Sequence, residues 1–275
     1  MLYWINNMIW VCKDKKIECS ERTLIMAIIN VTPDSFSDGR DSFSPEKAAE
    51  NAIKAQENGA DIIDLGAQST RPGYTEISAR EEWSRLAPVF ERIKGKIKIP
   101  ISVDTYFPYV AERAADNGAD IINDVSGIIN PEMADVIKKT GCGWVIMHNG
   151  AGNITDVKAF FERSVKEASL LGVKKESLCL DMGIGFGKNR RQDQELIANV
   201  RKYRPAEYPL LLGTSRKRVI AQISGQPEPK NRVYGNIAAD TVAILGGVNI
   251  IRLHDVENEK QGIKAADALK RALMK

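Results

Sequence analysis

Residues 59–64 read GADIID, residues 118–123 read GADIIN, and residues 247–252 read GVNIIR. In each copy a glycine closes a helix, a short β-branched run follows, and a polar side chain stands at the end. A parallel strand buried on both faces reads as a continuous apolar run, so a carboxylate, an amide or a guanidinium at its last position needs a reason. Several such strands aim their polar ends at one place. The phrase therefore predicts a repeated β/α unit with a reaction at one end of a barrel.

Working outward, strand-type apolar runs recur at 24–29, 61–65, 99–103, 120–122, 144–147, 178–180, 210–212 and 249–253. Helical periodicity fills 45–58 (with Ser44 as N-cap), 79–93, 109–117, 133–140, 157–171 and 192–203. It continues over 218–245, broken by Gly225-Gln226-Pro227, and over 259–274. This alternation predicts an α/β fold of the (β/α)8 TIM-barrel type, with functional groups at the C-terminal strand ends. Alternation alone also fits an open doubly wound sheet, but no G-x-G-x-x-G follows the first strand. Residues 1–22 predict a hairpin plugging the bottom of the barrel. No linker divides the remainder, so 1–275 reads as one domain.

With 275 residues, 43% hydrophobic and 27% charged, the chain can bury a full core. A net charge of +3 without a basic block predicts no nucleic-acid partner. No run of about 18 apolar residues predicts a membrane span, so a soluble, cytoplasmic protein is expected. Four cysteines form no C-x-x-C pair and only two histidines could join them, which argues against zinc and for reduced, inert thiols.

The strand ends carry the chemistry. Residues 30–39 (NVTPDSFSDG) and 69–73 (STRPG) are too polar for bare turns and read as mobile substrate loops, with Arg71 an anion ligand; a solvated loop is the plainer alternative. Asp104, Asn123 and Asp181 form a ring of acceptors suited to a heterocycle edge bearing adjacent N–H donors, since one carboxylate accepts two. Arg252 and His254 are donors that suit phosphate, and Lys217 at a helix start adds to an anion-favouring corner. A single strand-end carboxylate is explained equally well as a helix cap, but all of them capping helices at one rim is a poor account. Residues 183–188 (GIGFGK) fail the Walker pattern because Met182 and Asn189 occupy required positions. They read instead as a turn lining a flat ligand, with Phe186 placed to stack. Asp64, followed by apolar Leu65, reads as a support of the second loop without a ligand role.

Together these segments resemble the dihydropteroate synthase family, from about residue 23 to the end. The NVTPDSFSDG and STRPG segments are its most specific matches. Asp104-Thr105, Asn123-Asp124, GIGFGK, 215–217 (SRK) and 252–256 (RLHDV) follow in the family's order. The resemblance implies a barrel that condenses 6-hydroxymethyl-7,8-dihydropterin diphosphate with p-aminobenzoate by Mg²⁺-assisted, S_N1-like substitution. It implies pterin contacts from Asp104, Asn123 and Asp181, with Met147 and Phe186 beside the ring and Lys217 between the two substrates. Asp104, Asp181 and Lys217 would be catalytic. Arg252, His254 and Thr70 would bind diphosphate, Asn30 would join Mg²⁺, and Arg71 would order over the site. A homodimer is a further implication, as is membership of the family that sulfonamides target. The chain departs from the pattern at Met182, where the family has proline, and in a short loop at 148–153. Two alternatives stay open: a barrel methyltransferase using methyltetrahydrofolate, which has no use for a diphosphate site, and a paralogue that binds pterin without turnover.

Overall fold

The structure, a computed structural model, describes residues 8–31, 44–68 and 75–273. The chain opens with an antiparallel hairpin, β1 (Ile9–Cys12) and β2 (Lys15–Glu18). There follow β3 (Leu24–Asn30), α1 (Pro45–Glu57), β4 (Ile62–Gly66), α2 (Ala79–Ile93), β5 (Ile101–Asp104) and α3 (Pro108–Asp116). Next come β6 (Ile121–Asp124), α4 (Pro131–Thr140), β7 (Gly143–Met147), α5 (Ile154–Leu170), β8 (Leu178–Asp181) and α6 (Arg190–Ala198). The last turn of the chain adds β9 (Leu210–Leu212), α7 (Arg218–Ser224), α8 (Val233–Gly246), β10 (Ile250–Leu253) and α9 (Val256–Leu273). Strands β3 to β10 pair in parallel with their sequence neighbours, and β10 returns to β3, closing the barrel. The expected TIM barrel is the observed one. The region predicted at 218–245 divides into α7 and α8 because Gly225, at φ 68°, ends the first helix.

The repeated phrase explains how each unit is laid down. Gly59, Gly118 and Gly247 all sit at left-handed φ, near 100°, which only glycine adopts without strain. The residue after each glycine turns back on its helix: Ala60 N–H donates to Ala55 O, Ala119 to Ala114 O and Val248 to Ala243 O. The third residue then sets the register. Asp61, Asp120 and Asn249 each donate a backbone N–H to the preceding strand, and each side chain accepts the N–H of Ile25, Ile101 or Leu210 at 2.9–3.0 Å. One carboxylate or amide thus fastens each new strand at both its own N–H and its neighbour's.

Strand alternation then divides the side chains. Ile25, Ile63, Val103, Ile122, Ile146, Leu180, Leu212 and Ile251 pack outward against the helices. Inward at the N-terminal end, Met26, Ile62, Ile121, Val145, Cys179, Leu211 and Ile250 form a separate apolar layer, and the hairpin covers it. Trp10 and Cys12 are fully buried there, and the Trp10 indole N–H donates to Ser177 O at 2.9 Å. Lys15 pairs with the register-setting Asp120. The hairpin therefore plugs the bottom of the barrel. All four cysteines are buried thiols, and burial is the largest cause raising each of them above the ordinary thiol range.

Trp10→Phe should cost about 1–2 kcal/mol, from lost volume and an orphaned Ser177 carbonyl. Denaturant unfolding measures it; no change in midpoint would mean that the plug contributes nothing to stability.

Candidate active site

At the opposite end, the inward positions turn polar. Register pairing places Asp104 beside Asn123, Met147 beside Asp181, and Arg252 two residues beyond Ile250 on the inward side of β10. Asp124 alternates outward, where it accepts the Ser126 N–H at 2.9 Å and organises the following turn. This is why Asn123 and not its neighbour faces the barrel axis.

The three copies of the phrase meet here through their last residues. Asp64 is fully buried, and its Oδ2 accepts from Arg252 Nε at 2.7 Å and from Asn123 Nδ2 at 3.2 Å. Arg252 also donates through NH2 to Asp104 Oδ2 at 2.8 Å. The second loop, which Asp64 was expected to support, lies outside the described residues; within them Asp64 joins Arg252 and Asn123. It lies on the barrel axis, beneath the acceptor ring, and holds two members of the rim. The available signal was positional, since Asp64 occupies the same place in its copy as Asn123 and Arg252 in theirs.

The charges are balanced against burial. Burial pushes Asp104 up to about 7; the Arg252 guanidinium opposes this and the Asp64 carboxylate adds to it. Asp181 is also raised, by burial first, against the pull of Lys217 and of the Gly183 N–H that it accepts at 2.7 Å. Burial draws Arg252 down, but Asp64 and Asp104 outweigh it and leave the guanidinium above its usual value. Its two carboxylate bonds use two of five N–H groups, leaving donors for a further anion. Asn123 Oδ1 is buried and accepts no hydrogen bond among the described residues.

Two further elements complete the mouth. Lys217, the N-cap of α7, donates to Ile184 O at 2.5 Å and sits 4.8 Å above the centre of the Phe186 ring. Burial pulls its ammonium down to about 8. His254 follows β10, with Nδ1 3.0 Å from Ser215 Oγ; the same hydroxyl accepts the His254 N–H at 3.2 Å. Asn30 ends β3 with an exposed side chain. Met182, the departure from the family's proline, is buried in the outer core beside Tyr203, away from the rim. Thr70, Arg71 and most of the first loop lie outside the described residues.

A parallel barrel whose strand ends carry buried carboxylates, an amide, a lysine and an arginine defines a class: barrel enzymes that seat a flat, donor-bearing heterocycle beside an anion. A family model for pterin binding enzymes matches residues 26–254. The dihydropteroate synthase of Synechocystis sp. is 40% identical over 262 residues, covering 90% of this chain and 91% of the relative. The Xanthomonas albilineans dihydropteroate synthase solved with 4-aminobenzoic acid matches with TM-score 0.90 and 33% identity, over 96% of this chain and 99% of that one. The Clostridium difficile dihydropteroate synthase solved with pteroic acid matches with TM-score 0.85 and 44% identity, over 90% and 97%. The chain belongs to the dihydropteroate synthase family of pterin-binding barrels.

Proposed function

We propose that this protein condenses 6-hydroxymethyl-7,8-dihydropterin diphosphate with p-aminobenzoate, releasing pyrophosphate and 7,8-dihydropteroate. The observation that carries this reading is the convergence of Asp104, Asn123 and Asp181 at one rim beside Lys217, Phe186 and Arg252. The relatives solved with 4-aminobenzoic acid and with pteroic acid support it.

An arylamine nitrogen is a weak nucleophile, so the enzyme gains most by easing departure of the leaving group. As the C–O bond breaks, its electrons leave with pyrophosphate and positive charge spreads into the dihydropterin. Asp104 and Asp181, buried and fixed in place, face that charge with no reorganisation at the moment of reaction. Asn123 Oδ1 accepts from the ring edge, and Met147 and Phe186 line its faces. Arg252, His254 and Thr70 receive the diphosphate, with Arg71 closing over it. The arylamine nitrogen then attacks the methylene carbon and loses a proton, without a covalent enzyme intermediate.

Mg²⁺ fits this donor set as an ion that arrives with the diphosphate. Asn30 offers one exposed amide oxygen at a strand end and would hold the ion together with the substrate phosphates. No group of three His, Cys, Asp or Glu among the described residues forms a protein cage for a metal. Bound there, the ion would neutralise charge on the departing pyrophosphate. Exposed Tyr234 and Val242 on α8, with Leu269 and Leu273 on α9, offer apolar surface for a homodimer. A cytoplasmic location suits the buried free thiols, and no helix among the described residues is long and apolar enough to cross a membrane.

Pyrophosphate release from the pterin diphosphate with Mg²⁺, dependent on p-aminobenzoate, tests the assignment; tight pterin binding without release would indicate a non-catalytic relative. The pH profile adds a second expectation. Protonation of Asp104 removes the charge opposing the dihydropterin cation, so kcat/KM should fall as the pH drops through about 7. A flat profile between about pH 6 and 8 would contradict that role.

A further inference from the structure

Lys188 ends the GIGFGK segment, yet the chemistry above makes no use of it. Its half-buried ammonium donates to the carbonyls of Gly183 at 2.9 Å, His148 at 3.1 Å and Phe186 at 3.2 Å. An ammonium has three N–H donors and no acceptor, so these three carbonyls match its full capacity. They come from two different loops, one after β7 and one after β8. The same two loops touch again where Gly150 N–H donates to Phe186 O at 3.3 Å. The approach is close enough that a Cβ on Gly183 would stand 1.9 Å from His148 O. On the far side, Asp193 of α6 accepts the Gly185 N–H at 2.8 Å.

This turn carries what seats Lys217: the Ile184 carbonyl that accepts its ammonium, and the Phe186 ring beneath it. Three carbonyl dipoles aimed at one point repel one another unless a cation stands between them. An apolar side chain at 188 would leave them facing each other, partly shielded from water, and the turn would open. Asp104 and Asn123 lie on other strands and keep their partners. Asp181 keeps its strand position, but its Gly183 N–H partner and Phe186 both belong to the turn that Lys188 holds.

We propose that Lys188 is a positioning residue for the wall shared by the two substrates, fixing Phe186 and Lys217 by tying the loops after β7 and β8 together. The proposal rests on the condensation reading above. Burial draws the Lys188 ammonium down to about 8, with Asp181 and Asp193 opposing, so its charge is present at neutral pH.

Steady-state kinetics of Lys188→Met and Lys188→Arg, with pterin diphosphate affinity measured separately, test it. Lys188→Met should raise the KM for p-aminobenzoate and weaken pterin diphosphate affinity, each by about 10-fold or more, since Phe186 and Lys217 face both substrates. Lys188→Arg, which keeps the charge and several donors, should recover part of that loss. If Lys188→Met does not fold, Lys188→Gln, which keeps two N–H donors, carries the same comparison. Unchanged arylamine KM and pterin diphosphate affinity in Lys188→Met, or a loss that Lys188→Arg does not lessen, would overturn the proposal while leaving the condensation reading standing. Absence of p-aminobenzoate-dependent turnover in the unaltered protein would overturn both.

Discussion

Asp104→Asn should lower turnover by about 10²- to 10³-fold with the fold intact. The loss follows from removing one of two carboxylates facing the dihydropterin as positive charge develops. Stability should hold because of how Arg252 is paired. The guanidinium is shared between Asp64 and Asp104, so the substitution leaves one complete ion pair and no orphaned charge. Asparagine also keeps an oxygen that can accept the Arg252 N–H. Single-turnover measurement with saturating substrates, alongside a denaturation curve, separates the two effects. Turnover within about threefold of the unaltered protein would remove Asp104 from the chemistry.

Asp64→Ala should be the more damaging substitution for stability, at about 3–5 kcal/mol. Asp64 is the common partner of Arg252 and Asn123, and alanine strips both at once. A partly buried guanidinium would then depend on Asp104 alone, and the Asn123 amide would lose its lower anchor. Chemical denaturation of the ligand-free protein gives the loss directly. A loss under about 1 kcal/mol would show that water or Asp104 compensates and that Asp64 is not the hub of the rim. The two substitutions are distinguished by what they leave behind: Asp104→Asn preserves an ion pair and removes a function, whereas Asp64→Ala removes the support itself.

Much of this was legible in the sequence because each part of the repeated phrase has a separate physical task. Gly59, Gly118 and Gly247 stop helices, and the β-branched pairs after them form the strands. The period between copies encodes the barrel. Polar strand ends marked Asp104, Asn123, Asp181 and Arg252, since charges at those positions need partners. What stayed hidden depends on side-chain direction and on contacts between distant residues. The register role of Asp61, Asp120 and Asn249 involves backbone groups of the preceding strand, which no local pattern displays. The role of Asp64 follows only from its place in the repeat, because its partners Arg252 and Asn123 are distant in sequence. Lys188 was hidden because its three partners are carbonyls, and every residue has one. Thr70 and Arg71 lie outside the described residues, so their part in the reaction stands on the resemblance of STRPG alone.

In the proposed reaction the three acceptors at the rim hold one heterocycle edge beside an anion corner. A crystal structure of the protein with a non-hydrolysable pterin diphosphate analogue and Mg²⁺ tests it most directly. Pterin N–H groups are expected within hydrogen-bonding distance of Asp104, Asn123 and Asp181, with the diphosphate turned toward Arg252 and His254. A pterin lodged elsewhere, or one presenting acceptors to those three residues, would contradict it.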